Sequence, residues 1–279
     1  MMQQIKPYIL PSIVLLLFTA GYYPAFDSLI TKWSASDDYT HAFFTVPVVA
    51  YMIWLQRDLL AESKGRPVIG LVLIILSIFL YLVSLQLQIP TITFIATVLT
   101  VISILIYFAG FRVLKEMAIP ILLLFMVIPI PNQLLSMITA SLQLKVSQAS
   151  ETIIQLFSVP LFREGNVLQI PGKTFQVVQA CSGIRSLISM TTLSLIIGYF
   201  TLTRGRSILF LFLFSIPVAV VINIVRVISL VLIYYYFKID ITSGTWHTIS
   251  GLLLFVLGLV LLFSFQRILE YWEGKKQYS

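Results

Sequence analysis

Long apolar runs alternate with short polar breaks along almost the whole chain. A helix needs about 20 apolar residues to cross a bilayer. By that measure the pattern predicts about eight spans, at 8–24, 42–56, 68–87, 91–109, 116–131, 183–201, 207–236 and 248–266. The second and fifth runs are short and suit re-entrant elements, which would lower the count. The first lacks a small-residue cleavage site, because Gly21-Tyr22-Tyr23-Pro24 follows it, so it reads as a span and not as a signal peptide.

Only one long stretch, 132–182, breaks this rhythm. From Leu134 to Phe157 it spaces Leu, Ile and Val among Ser, Gln, Lys145 and Glu151, as an amphipathic helix lying on the membrane or the bundle does. Pro160 ends that helix. Val167 to Ile170, the turn Pro171-Gly172, and Lys173 to Val178 then read as a small β-hairpin. The expected fold is an all-α polytopic membrane protein, with that amphipathic helix and hairpin outside the bilayer. Residues 1–279 form a single integral membrane domain in this reading.

Composition agrees with a membrane protein. The chain is 59% hydrophobic and 10% charged, against about 45–50% and about 25% in soluble domains. The net charge of +7 does not indicate nucleic acid, because Lys and Arg sit in short clusters between apolar runs. Arg57, Lys64 and Arg66 follow the second run, Arg112 and Lys115 the fourth, Arg204 and Arg206 the sixth, and Arg267 with Lys275 the eighth. Positive loops face the cytoplasm, so both termini are expected there and 132–182 on the opposite face.

Chemistry concentrates at that opposite face. A helix rises about 1.5 Å per residue. Arg226 lies 20 positions after Arg206, His247 lies 20 before Arg267, and Cys181 lies 23 before Arg204. Each is therefore about 30–35 Å from a cytoplasmic anchor, near the outer interface. Equal depth does not by itself imply contact. Cys181 is the only cysteine, in Ala180-Cys181-Ser182-Gly183-Ile184-Arg185-Ser186. A lone buried cysteine is commonly a small hydrophobe, but a polar neighbourhood with Arg185 one turn on favours a thiolate. Arg226 stands among Val, Ile and Asn223, where an arginine is costly and marks function by default; snorkelling to the headgroups is the bland alternative. His247 is either an interfacial anchor or an acid–base group. His41, behind Asp37 and Asp38, is the other histidine. No HExxH or paired-cysteine spacing supports a metal, and no cofactor is expected.

At these residues the chain resembles the exosortase/archaeosortase family of membrane cysteine transpeptidases. The resemblance is carried by Ala180 to Ser186, by Asn223-Ile224-Val225-Arg226 and by His247-Thr248-Ile249-Ser250-Gly251. Asp38-Tyr39-Thr40-His41 and Arg163-Glu164-Gly165-Asn166 are similar to further family blocks. It implies Cys181 as nucleophile with Arg226 and His247 as its catalytic partners, and His247 makes the chain look like a bacterial exosortase. Gln179 departs from the family, which often has Glu two residues before the cysteine.

Also implied are a cell-membrane location and secreted, single-span protein substrates with a C-terminal signal: a short motif such as Pro-Glu-Pro, an apolar helix and a basic tail. An exopolysaccharide or lipid-linked acceptor would resolve the thioacyl intermediate. His41, Arg185, Asn223 and Asp38 are expected to bind substrate or support the catalytic groups. They are expected in a cleft that is roofed by 132–180 and opens sideways to lipid. A multi-span transporter or flippase, or a non-catalytic subunit of a polysaccharide or protein export assembly, is the alternative. No internal repeat or paired broken helices favour transport.

Overall fold

The computed structural model describes residues 6–177 and 183–274. Eleven helices and three short strands form among these, in two compact units, 1–130 and 131–279.

The first unit holds α1 (Lys6–Gly21), α2 (Tyr23–Ala35), a 3-10 turn (Asp37–Tyr39), α3 (Ala42–Leu55), α4 (Arg57–Glu62), α5 (Pro67–Gln86), α6 (Pro90–Glu116) and α7 (Ala118–Met126). Proline opens α2, α5 and α6 at their first turns, where its missing N–H costs nothing. The pairing of α5 with α6 is close. A Cβ on Gly70 would stand 2.4 Å from the Tyr107 Cα, so only glycine lets the backbones approach this far. Hydroxyls join the helices inside an apolar core: the Thr100 hydroxyl donates to Ser77 at 2.9 Å and lies 2.6 Å from the Tyr22 hydroxyl. Trp33 Nε1 donates to the Val127 carbonyl, and the Ile130 N–H donates to the buried Tyr39 hydroxyl.

Among the described residues five helices are long and apolar enough to cross a membrane: α5, α6, α9 (Ile184–Thr201), α10 (Gly205–Phe237) and α11 (Gly244–Trp272). A sixth passage is counted if Ser12–Gly21 and α2, bent by 62°, act as one broken span. The expected eight spanning helices are not all met by length and composition among the described residues. The 42–56 run folds as α3, 14 residues and about 21 Å long, and the 116–131 run as α7, 9 residues and about 14 Å. Neither crosses about 30 Å of hydrocarbon as a helix alone. Both runs are as apolar as a span, and length is what distinguishes them.

The second unit begins with α8 (Asn132–Gln155) and the strands β1 (Phe162–Glu164), β2 (Val167–Ile170) and β3 (Lys173–Gln176). These strands make an antiparallel sheet in the order β1-β2-β3. The Pro171-Gly172 turn joins β2 to β3, with Gly172 at φ +89°, a region that glycine enters without strain. β1 extends the expected two-stranded hairpin. Its Arg163 pairs with Glu151 of α8 at 2.6 Å, which fastens the sheet to that helix. One apolar core joins α8, sheet and α10: Val146, Ile154, Leu168, Phe175, Val177, Val227 and Val231 are all buried in it.

Helices α9, α10 and α11 pack together at a second cluster around Met190, Val218, Ala219 and Ile222. Beyond the end of α11, Glu273 caps the start of α10. Its carboxylate accepts from the backbone N–H groups of Thr203 and Arg204 and from the Thr203 hydroxyl. These helix-terminal donors favour an anion. Desolvation opposes ionisation, but the hydrogen bonds prevail and bring Glu273 down to about 2.

Candidate active site

A hydrogen bond between α10 and α11 forms the centre of the second unit's polar face. Arg226 Nη2 lies 2.9 Å from His247 Nε2. A guanidinium has donors only, so Nε2 is the acceptor. The imidazole is therefore neutral in this state, with its proton on Nδ1. Arg226 Nε is buried and has no hydrogen-bond partner among the described residues. From Val221 to Ile228 the residues beside Arg226 on α10 are Val and Ile apart from Asn223, and Ser229 follows one turn on.

Glycine makes this contact possible. Gly251 lies one turn after His247 on the same face of α11. A Cβ there would stand 3.1 Å from Arg226 Nη2 and 3.4 Å from Cζ, so the guanidinium rests against bare backbone. A second glycine does the same at the head of α9. Gly183 precedes the helix at φ +85°, and a Cβ on it would come within 2.8–2.9 Å of the Asn223 side chain. Asn223 is 2% exposed and lies one turn before Arg226 on α10. Three helices thus meet at one level: the start of α9, the stretch of α10 around Asn223 and Arg226, and the first turns of α11. Arg185, in the first turn of α9, is exposed, and its charge together with that of Arg226 bears on His247.

Cys181 lies outside the described residues, as do its neighbours 178–182. Both described flanks of that segment are held. After it, Gly183 is packed on Asn223. Before it, the Val177 N–H donates to the Asn166 carbonyl at 2.9 Å, and Asn166 Nδ2 donates back to the Val177 carbonyl at 3.0 Å. This double bond gives the Arg163-Glu164-Gly165-Asn166 block a structural task. Arg163 ties β1 to α8, and Asn166 pins the end of β3 four residues before the cysteine.

The loop into α11 is held as well. Lys173 of β3 forms an ion pair with Asp240 and donates to the Thr242 hydroxyl at 3.3 Å. Its ammonium also lies 4.9 Å from the Tyr234 ring centroid. The Lys173 hydrogen bond, seconded by Thr242, holds the Asp240 carboxyl down at about 2. His247 is thereby delivered by a loop clasped to the same strand that leads to Cys181.

Asp38 and His41 belong to the first unit. Asp38 is buried in the 3-10 turn, and His41 precedes α3. Both ring nitrogens of His41 are buried without a well-formed hydrogen bond among the described residues, although the backbone of Asp38 and Met126 lies nearby. Among the described residues, no three His, Asp, Glu or Cys side chains group to hold a metal.

Of the residues expected at the site, Arg226, His247, Asn223 and Arg185 come together in the second unit, while Gly183, Gly251, Asn166 and the Lys173–Asp240 clasp join them without having been expected there. The spacing His247-x-x-x-Gly251 was a usable signal, since it sets a small residue one turn beyond a polar one.

The family model described as transmembrane exosortase (Exosortase_EpsH) matches residues 33–264. The chain belongs to the exosortase family, and it is a multi-pass membrane protein. No curated protein and no solved structure shows significant similarity to it.

Proposed function

We propose that the protein is a membrane-embedded cysteine transpeptidase that cleaves C-terminal sorting signals from secreted, single-span proteins. The observation that carries the reading is the guanidinium–imidazole hydrogen bond between Arg226 and His247, set against Gly251. Family membership supplies the reaction class. An arginine is expensive at such a level, and a bond to a neutral histidine suits acid–base work better than mere anchoring.

In this mechanism His247 Nε2 takes the proton of the Cys181 thiol. The protonated ring can no longer accept from Arg226, so proton uptake releases the guanidinium. Sγ attacks the carbonyl carbon of the scissile peptide, and the Arg226 N–H groups meet the oxyanion. The C–N bond breaks as His247 returns its proton to the leaving amine. The substrate's apolar helix and basic tail depart, and a thioester remains on Cys181. The acceptor, an exopolysaccharide or a lipid-linked molecule, then gives its proton to His247 and attacks the thioester. Cys181 is expelled as thiolate and regains its proton. Arg185 supports the thiolate through its charge, and Asn223 holds the head of α9 beside Arg226.

The topology proposed with this mechanism puts both termini in the cytoplasm and Cys181 on the extracytoplasmic face of the cell membrane. It counts α3 and α7, with their flanking residues, as the second and fifth of eight passages. Support comes from the Lys and Arg clusters in alternate loops.

The test is co-expression with a secreted protein that carries a C-terminal motif, an apolar helix and a basic tail. Cys181→Ala should abolish processing while the protein still accumulates in the membrane. His247→Gln can still accept from Arg226 but cannot shuttle a proton, and it should lose about 10²–10⁴ in rate. Normal processing by a well-expressed Cys181→Ala protein would overturn the mechanism.

A further inference from the structure

The sheet beside the site has an open edge. In the order β1-β2-β3, strand β3 pairs only with β2 among the described residues. Its register sets Lys173 opposite Ile170, Phe175 opposite Leu168, and Gln176 opposite Val167. The Val177 N–H donates to Asn166, across from it. Hydrogen-bonded and non-bonded pairs alternate in an antiparallel ladder. Lys173, Phe175 and Val177 therefore direct their N–H and C=O groups toward β2, and Thr174 and Gln176 direct theirs outward. Both outward residues are exposed, and among the described residues nothing bonds to their backbone.

A groove of about 200 Å³ runs along this strand. Phe175, Val177, Val227 and Val231 line it, with Lys173 and Thr242 as polar members. It is too small for a helix, and it suits the side chain of an extended chain. One end of the strand leads to Cys181 through the pinned Val177. Across the groove Val227 is next to Arg226 in α10. Edge strands with unpaired backbone are a liability that proteins normally cover or blunt. This one is short, is held at both ends by side-chain bonds, and ends five residues before the candidate nucleophile in the chain.

We propose that the free edge of β3, at Thr174 and Gln176, binds the substrate stretch next to its scissile bond as an added β-strand. The proposal rests on the reading of the protein as a peptidase or transpeptidase and names how that site holds its peptide. Backbone hydrogen bonds to the edge would supply affinity, and every second side chain would enter the groove. Because β3 ends five residues before Cys181 in the chain, a peptide bound along its edge would lie against a strand close to the nucleophile in sequence, without requiring a particular side chain at each position.

Proline tests the edge directly. At Thr174 or Gln176 it removes an outward N–H and leaves the β2 ladder intact, which is where sheets tolerate it. Thr174→Pro and Gln176→Pro should each raise KM for a synthetic signal peptide roughly 3- to 10-fold, as expected for a lost backbone hydrogen bond. Thr174→Ala and Gln176→Ala, which keep the outward N–H, should raise it less than the matching proline variant does. The labelling rate of Cys181 by a small maleimide should stay unchanged, which reports an intact site.

A second arm does not depend on the proline variants or on turnover. Peptides carrying single N-methyl amides are titrated against the Cys181→Ala protein. Affinity should fall at every second amide, by roughly the same 3- to 10-fold. Proline variants with wild-type KM, or N-methyl losses without a period of two, would overturn the proposal. So would proline variants whose main effect is loss of self-association, because the edge would then belong to a second copy of the chain. Failure of the cysteine mechanism is read separately, as processing that survives Cys181→Ala.

Discussion

Gly251 allows stability and activity to be pulled in opposite directions. It lies inside α11, where glycine is worse than alanine by about 1 kcal/mol through backbone entropy. Gly251→Ala should therefore leave the fold as stable or raise its melting temperature. The added Cβ, however, would stand 3.1 Å from Arg226 Nη2 and 3.4 Å from Cζ. Carbon and its neighbours prefer about 3.5–4.0 Å, so the guanidinium must retreat by a few tenths of an ångström. Since misplacement by about 1 Å can cost about 10² in rate, the alanine variant should lose roughly 3- to 10-fold. Gly251→Leu, which occupies the space itself, should lose about 10² or more. The assay is processing of a signal-bearing substrate in proteoliposomes, read beside thermal unfolding of the same preparations in detergent. Wild-type turnover in Gly251→Leu would show that Arg226 need not hold this position, and the catalytic role of the Arg226–His247 pair would fall with it.

Three other outcomes follow from the same geometry. Arg226→Lys should lose about 10²–10³ in rate, because an ammonium cannot present the guanidinium's fork to both His247 and an oxyanion; full activity would reduce Arg226 to a generic positive charge. Asp240 has a depressed pKa of about 2, so its clasp to Lys173 stabilises the fold above its unfolded pKa of about 3.9. That contribution is lost as pH falls through about 2. Unfolding midpoints of wild type and Asp240→Asn should thus differ at pH 6 and converge at acid pH; a constant difference would refute the ion pair's role. Glu273→Gln should lower thermal stability by about 1 kcal/mol or less, since it weakens the anion at the head of α10, and should leave Cys181 labelling unchanged; altered labelling would mean that the cap reaches the site.

Much of this arrangement was legible in the chain, for reasons that differ from residue to residue. Arg226 and His247 could be expected at one level because helical rise is fixed and each lies 20 residues from an arginine at the far end of its helix. The long runs that became α5, α6, α9, α10 and α11 announced themselves by length and apolarity together. The 42–56 and 116–131 runs carried apolarity without length and became α3 and α7. β1 gave no signal, because three residues with Arg163 and Glu164 among them show no alternation; it is recruited by the Arg163 bond to Glu151, a partner 12 residues away. Gly183 and Gly251 were visible as letters but silent as parts of a site. A glycine's task is set by which side chain faces it, Asn223 in one case and Arg226 in the other, and that depends on how three helices rotate against each other.

The same dependence explains why the site is assembled from separate segments. An arginine at this level needs a partner, and a partner on its own helix would sit one turn away, fixed in place. His247 on α11 can instead accept from Arg226 when neutral and release it when protonated, so one proton changes the partner of a partly buried cation. Such a switch works only if the two helices stay in register. Gly251 sets their spacing, and the Lys173–Asp240 clasp fixes the loop that starts α11. Asn166 holds the other approach, the strand that runs toward Cys181. Cutting the Asn166 tie with Asn166→Ala should therefore slow processing while leaving the Arg226–His247 bond in place. The imidazole signals of His247, followed by NMR in the labelled protein, should keep their wild-type positions as turnover falls. Shifted imidazole signals would show that strand and helix pair act as one unit, and the division of labour argued here would be wrong.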